Sequence, residues 1–230
     1  MARMHQSVKN GLRIFSFLKM LGTAGINDEE QARDNLYRTV NDPANRNMIA
    51  TGIEQQREHF DNLELHLGYV YGSTKTPAHA SKYTPKFRPG ARLPHAWITI
   101  LSGQAQPELA PIDLSYVQEL SNVELEAKQY SILDLCDYDG FTVLVGLGSR
   151  WRELAEQLRS DLAHLKIKIL VFGQDFEFAS QEHKKLYGTW DVFGSGHGLV
   201  VRPDQHIMSL LSNEVTLESI RGSFREHLGI

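Results

Sequence analysis

The sequence predicts an α+β protein in which helices come first and a sheet-bearing domain follows. Three observations carry that prediction. Apolar residues before about residue 82 recur at helical spacing, as in Val8, Leu12, Phe15 and Leu18. Gly72, Ser73, Thr74, Pro77, Pro85, Pro89, Gly90 and Pro94 then remove any helical period. Beyond them, short apolar runs such as Phe141 to Leu147 alternate with capped helical stretches. Residues 1–82 are therefore expected as a helical segment, 83–96 as an extended linker crossing a surface, and 97–230 as the sheet domain.

The first helix is expected over about 5–21, ending near Gly22. Its surroundings carry Arg3, Lys9, Arg13 and Lys19 with no acid before Asp28, which is the composition of an organelle transit peptide. The helical spacing favours an ordinary amphipathic helix instead, and Ser16 and Lys19 interrupt the apolar run too soon for a membrane span. Asn27 can cap a second helix, with Glu30 completing a capping box and Ala32, Leu36 and Val40 following. Asp42-Pro43 places a cap before a proline at the first helical position. Ile49, Ile53, Gln56 and Phe60 form the next stripe. In the linker, Pro89-Gly90 suits a type II turn, whose third position needs a positive φ.

The sheet domain opens with a strand over Trp97 to Leu101 and continues with strands over Ser131 to Leu135 and Phe141 to Leu147. The last is an unbroken apolar run, as in a central strand buried on both faces. Ser149 can cap a helix over Trp151 to Leu165, with Trp151, Leu154, Leu158 and Leu162 on one face. Lys166 to Phe172 reads as a strand, and Leu199 to Leu211 as a hairpin turning at Pro203-Asp204-Gln205. Thr216 caps a final helix through His227, with Leu217, Ile220, Phe224 and Leu228 inward. Strand, helix, strand, hairpin and helix in that order is what a thioredoxin-like layer gives.

The 230 residues suffice for one large domain or two small ones with a sizeable core. Lysine plus arginine is 24 against 28 acids, a net charge of −4, and no basic run exceeds Lys184-Lys185. That distribution excludes a nucleic-acid footprint. Cys136 is the only cysteine, which rules out an intrachain disulfide and a C-x-x-C motif and fits a reducing, cytoplasmic setting. It follows Ile132-Leu-Asp-Leu135, so it reads as a half-buried strand-end residue rather than a nucleophile.

The remaining constellations have bland explanations beside the chemical ones. His59 and His66 lie seven apart, whereas helical zinc sites use spacings of three or four with a third ligand in reach, so no metal site is expected. His95 is either a general base or, as favoured here, a group bonding backbone at the entrance to a strand whose Trp97 enters the core. Arg202, Asp204 and His206 read as turn chemistry before a catalytic dyad. Gly146-Leu-Gly-Ser149 lacks both the third glycine of a dinucleotide loop and the Lys-Ser/Thr of a Walker loop. Gly194-Ser-Gly-His-Gly198 precedes a strand instead of a helix, so no helix dipole faces a phosphate. Both read as tight turns, and no G-x-S-x-G elbow occurs in a strand-turn-helix context.

Several ordered motifs resemble one family. They are Gln55 to Tyr69 with its Leu67-Gly68, then Arg88-Pro-Gly-Ala-Arg-Leu-Pro-His-Ala-Trp97, then Leu133-Asp-Leu135 with Phe141 to Gly146 and Trp151, and finally Leu199-Val-Val-Arg-Pro-Asp-Gln-His206. Together they resemble the carboxy-terminal part of the flavin-dependent aromatic hydroxylases, the phenol hydroxylase and dichlorophenol monooxygenase group. Gln205 stands where that group's hairpin carries glycine, a departure expected to alter the turn type. The resemblance implies FAD as cofactor and a phenolic or polyketide-type small molecule as substrate. It also implies a thioredoxin-like terminal domain without redox cysteines that makes dimer contacts. The family's G-x-G-x-x-G and Gly-Asp flavin motifs lie ahead of these landmarks, and this chain, starting at Met1, holds neither. No catalytic residue transfers to any position here. Arg88 and Arg92 are the candidate cofactor contacts, toward flavin held by a companion chain. Two other readings remain open: a stand-alone dimerising assembly module, and a small cyclase or isomerase acting on a phenolic or polyketide product. No membrane association is expected from any reading.

Overall fold

A computed structural model describes residues 2–73, 75, 80–194 and 196–229, without the side chains of residues 2–6 and 58. Thr74 and Pro77, among the residues that remove the helical period, and Ser195 of the glycine-rich stretch lie outside the described residues. Backbone contacts divide the chain into two units, residues 1–69 with 73–84, and residues 70–72 with 85–230.

The first unit is helical: α1 Ala2–Met20, α2 Glu29–Asn41, α3 Arg46–Gln55, α4 Arg57–Phe60 and α5 Leu63–His66. Gly22 ends α1 with φ +73°, a left-handed value that glycine takes without strain. The cap of α2 is Asp28 rather than Asn27, its carboxylate accepting from Gln31 N at 2.9 Å. An acid at that position also offsets the positive end of the helix dipole. Asp42 caps as expected, accepting from Ala44 N at 2.9 Å, and Pro43 opens a 3-10 turn that leads into α3.

The expected Ile49-Ile53-Gln56-Phe60 stripe does not hold. The helix breaks at Gln56, leaving Ile53 58% and Phe60 81% exposed. Of that stripe Gln56 is buried, and Gly52 is buried in place of the exposed apolar positions, because the helices approach closely through a position without a side chain. A Cβ at Gly52 would fall 2.6 Å from the Phe17 ring, and Gln56 Nε2 donates to Arg13 O at 3.1 Å. Val8, Leu12 and Phe15 of α1 stand exposed.

The second unit contains α6 Asn122–Ala127, α7 Trp151–Asp161, α8 Gln181–Thr189 and α9 Leu217–Leu228. Its strands are β1 Trp97–Ile100, β2 Tyr130–Ser131, β3 Phe141–Gly146, β4 Ile167–Phe172, β5 Phe176–Phe178, β6 Gly198–Val201 and β7 Ile207–Leu211. They form one mixed sheet in the order β2-β1-β5-β4-β3-β6-β7, so the protein is α+β as the sequence predicts. The pair β3–β4 is parallel and linked through α7, while β6 and β7 form an antiparallel hairpin beside β3. All of β3 is buried, for a reason set by period-two alternation. Phe141, Val143 and Val145 face a core with Trp151 and Leu158 of α7 and Ile220 and Phe224 of α9. Leu144 faces the opposite core with Leu170, Leu199, Ile207 and Tyr187.

Four expectations need correction here. Residues 85–96 do not merely cross a surface. Gly90 N donates to Ile207 O at 2.8 Å and Leu93 N to Gln205 O at 2.9 Å, and Phe87, Ala91, Leu93 and Ala96 are buried. Backbone pairing with the hairpin and an apolar face draw this segment onto the sheet. The expected strand over Ser131 to Leu135 reduces to two residues and a 3-10 turn over Ile132–Leu135. Ser131 and Asp134 side chains satisfy backbone N–H groups there and so compete with a ladder. Helix α7 stops at Asp161 because the chain turns at Leu162 to enter β4. Trp97 is only half-buried, while its neighbours Ala96 and Ile98 fill the core.

Candidate functional site

The segment 88–92 forms the expected turn: Ala91 N donates to Arg88 O at 3.1 Å, and Gly90 sits at φ +82°. The turn leaves Arg88 exposed and half-buries Arg92, whose guanidinium donates to Gln205 Oε1 at 2.8 Å. The two candidate cofactor arginines therefore differ in kind. Arg92 ties the segment to the hairpin, and Arg88 faces solvent.

The hairpin tip supports the turn reading. Arg202 grips Asp204 through two nitrogens, with Nε donating to Oδ1 at 3.0 Å. His206 Nδ1 donates to the Asp204 carbonyl at 2.9 Å, which fixes its proton on that nitrogen. Burial pushes the Asp204 carboxyl up, but bonds from Arg202 and the His206 N–H outweigh this and hold its pKa below the ordinary value. Arg202 also lies over the Tyr71 ring at 4.9 Å from its centroid. Gln205 occupies φ +63°, so a glutamine adopts the backbone a glycine would supply, and the expected change of turn type is unnecessary.

His95 bonds a side chain instead of backbone: its Nδ1 lies 2.8 Å from Ser131 Oγ. Ser131 in turn donates its N–H to Asp134 Oδ2 at 2.7 Å and accepts from Leu133 N at 3.2 Å. His183, which sequence reasoning did not single out, joins this corner. Its Nδ1 accepts from Trp97 N at 3.1 Å, and its ring centroid lies 5.6 Å from that of His95. Partial burial and the neighbouring His183 lower the His95 pKa, and burial lowers that of His183, so both rings are neutral near pH 7. Ser131 is itself buried and serves as the cap of a 3-10 turn, so the pair is a bonded junction and not an accessible nucleophile with its base.

The strand-to-helix turn at Gly146 to Ser149 is the position a dinucleotide would need, and its residues do not fit one. A Cβ at Gly146 would meet Phe193 O at 2.2 Å, so the chain's own backbone fills the space a pyrophosphate would enter. Trp151 buries its ring in the first turn of α7. Arg150, at the helix start, donates to the carbonyls of Asn213 and Val215 at 2.9 and 2.7 Å. Cys136 is fully buried, not half-buried, and burial pushes its thiol up to about 12. Among the described residues, no cluster of His, Cys, Asp or Glu could hold a metal ion, and no helix is long and apolar enough to cross a membrane.

A concave, mostly apolar feature that sequence reasoning missed lies beside α8. A cavity of about 440 Å³ is lined by Phe172, Phe178, Tyr187, Val192 and Phe193, with Lys184, Glu177 and Asp191 at the same opening. The available signal was the aromatic spacing Phe172, Phe176, Phe178 in the sequence. It went unread because β5 is only three residues long and α8 has a thin apolar stripe, with its start fixed by Ser180 accepting from His183 N at 3.2 Å.

The sequence matches no protein-family model and no curated protein. Among solved structures, the flavin-dependent monooxygenase PieE in complex with FAD and substrate matches with a TM-score of 0.62 at 20% identity, over 96% of this chain and 36% of that one. Aklavinone-11 hydroxylase with FAD and aklavinone gives 0.46 at 20% identity, over 71% of this chain and 26% of that one. The RebC structure with bound 7-carboxy-K252c gives 0.45 at 21% identity, over 84% and 33%. The chain spans about a quarter to a third of the length of these proteins and shares a fold with part of a flavin-dependent monooxygenase.

Proposed function

We infer that this chain is a portion of an FAD-dependent aromatic monooxygenase of the phenol-hydroxylating type. In this reading oxygenase activity, on a phenolic or polyketide-type substrate, requires a flavin-binding partner chain, and the protein works in the cytoplasm. The observation that carries the reading is the shared fold with PieE over 96% of the chain. The filled turn at Gly146 supports assigning the flavin to other residues than these. Residues 97–230 are read as a thioredoxin-like domain, supported by the order of β3 to α9: strand, helix, two strands, helix, hairpin, helix. With one buried cysteine, that domain would do no thiol-disulfide chemistry.

The deciding experiment is a visible spectrum of the purified chain after FAD addition and desalting, alone and with a companion flavin-binding half. A colourless chain that forms a yellow, phenol-oxidising complex supports the reading. A stoichiometric flavin band on the chain alone sinks it. A second reading, a non-catalytic module that assembles with a copy of itself, is favoured by the exposure of Val8, Leu12 and Phe15 at 61%, 66% and 59%. It predicts self-association and no activity with any companion.

A further inference from the structure

We propose that the aromatic cavity beside α8 is a binding site for a flat, hydroxylated aromatic of one or two rings, held without covalent chemistry. At about 440 Å³ it falls inside the range typical of small-molecule pockets. Its aromatic planes are already aligned. Phe172 and Phe193 lie 5.1 Å apart at 17°, and Tyr187 and Phe193 lie 5.7 Å apart at 10°. A flat ring extends such a stack, whereas an aliphatic chain leaves the ring faces poorly covered. Phe172 and Phe193 are only partly buried although they sit against the core. The Tyr187 hydroxyl donates to Pro94 O at 2.6 Å, so that residue offers a ligand carbon surface alone.

Charge at the opening selects the polar group. Lys184 of α8, Glu177 of β5 and Asp191 line the opening, and Asp191 Oδ2 is already bonded to His197 Nδ1 at 2.8 Å, so Lys184 and Glu177 are the charged groups there with no partner assigned among the described residues. A hydroxyl both donates and accepts, so a phenolic oxygen can accept from Lys184 and donate to Glu177. An aromatic carboxylate would be repelled by Glu177, and a bare hydrocarbon would use neither group. The cavity also begins at Phe172, the last residue of β4, at the carboxyl end of a parallel strand pair. Open α/β sheets hold their ligands there. None of this depends on flavin, so the site stands or falls apart from the monooxygenase reading.

The probe is 2,6-dihydroxynaphthalene, followed by equilibrium dialysis against the full chain, and saturable one-to-one binding is expected. Gly188 lines the cavity with no atom within 4 Å of a built Cβ, so Gly188→Leu fills the space without a backbone clash and favours the helix. It should weaken binding by about tenfold or more while Tm holds or rises. Glu177→Gln should weaken the diol by roughly three- to tenfold and leave 2,6-dimethoxynaphthalene, which has no O–H to donate, unchanged, whereas Lys184→Met should weaken both by a similar factor, since both oxygens accept. Leu12→Ser, on the exposed stripe of α1, should leave the affinity as it was. Non-saturable uptake, wild-type affinity in a folded Gly188→Leu chain, or loss of binding in Leu12→Ser would each overturn the site.

Discussion

Arg92 and Gln205, 113 positions apart in the chain, are joined by a 2.8 Å hydrogen bond from guanidinium to amide oxygen. The bond holds the 88–96 segment on the β6–β7 hairpin, and Gln205 makes it from a left-handed backbone at φ +63°. A non-glycine residue there carries about 1–2 kcal/mol of strain. A hydrogen bond to a charged group returns about 1.5–3 kcal/mol. Gln205→Gly should therefore be close to neutral, while Gln205→Ala keeps the strain and loses the bond. Urea denaturation should rank the glycine variant above the alanine variant by about 1–2 kcal/mol. Equal stabilities would mean that the left-handed conformation carries no strain.

Leu144 is fully buried in the central strand, between the registers of β4 and β6. Leu144→Ala should cost about 2–5 kcal/mol in chemical denaturation. A loss under about 0.5 kcal/mol, the range of surface changes, would contradict the central placement of β3.

Gly146 is required by the close approach of Phe193 O and not by a phosphate. Gly146→Ala should destabilise by about 1–3 kcal/mol, the range for overpacking. FAD should leave the wild-type Tm unchanged, although a ligand at a hundred times its Kd would add about 2.7 kcal/mol. A rise in Tm with FAD that Gly146→Ala abolishes would show that the turn holds the nucleotide.

Burial keeps the Cys136 thiol protonated, its pKa raised from 9.0 to about 12. The unfolded chain sheds that proton near the ordinary value and the folded chain only near the raised one. Stability is thus complete below about pH 9 and declines as pH rises through the window, by up to about 1.4 kcal/mol per pH unit. Between pH 8 and 10.5, Cys136→Ala should lose stability less steeply than wild type. Equal slopes, or turnover of insulin disulfides by the native chain, would show an accessible thiolate.

The apolar stripe of α1 should make the isolated chain self-associate at micromolar concentration. Lysine at both Leu12 and Phe15, each more than half exposed, should return it to a monomer without loss of helix signal. Sedimentation of wild type as a clean monomer would count against both the assembly module and a face awaiting a partner.

Local chemistry alone determined the caps at Asp42 and Thr216, the type II turn at Pro89-Gly90, the two-sided burial of β3 and the hairpin turning at Asp204. Each depends on residues within a few positions of one another, where side-chain type and backbone preference act directly. Tertiary structure decided the rest. The apolar residues of α1 and α3 imply a buried stripe, yet helix contact chose Gly52 over Ile53, because close approach favours the residue with no side chain. The 85–96 segment looks like a linker until β7 supplies partners for its N–H groups. The spacing of Phe172, Phe176 and Phe178 marks only one wall of the aromatic cavity, since Phe172, Tyr187 and Phe193 come from a strand end, a helix and a loop. Only packing on the sheet brings their rings parallel.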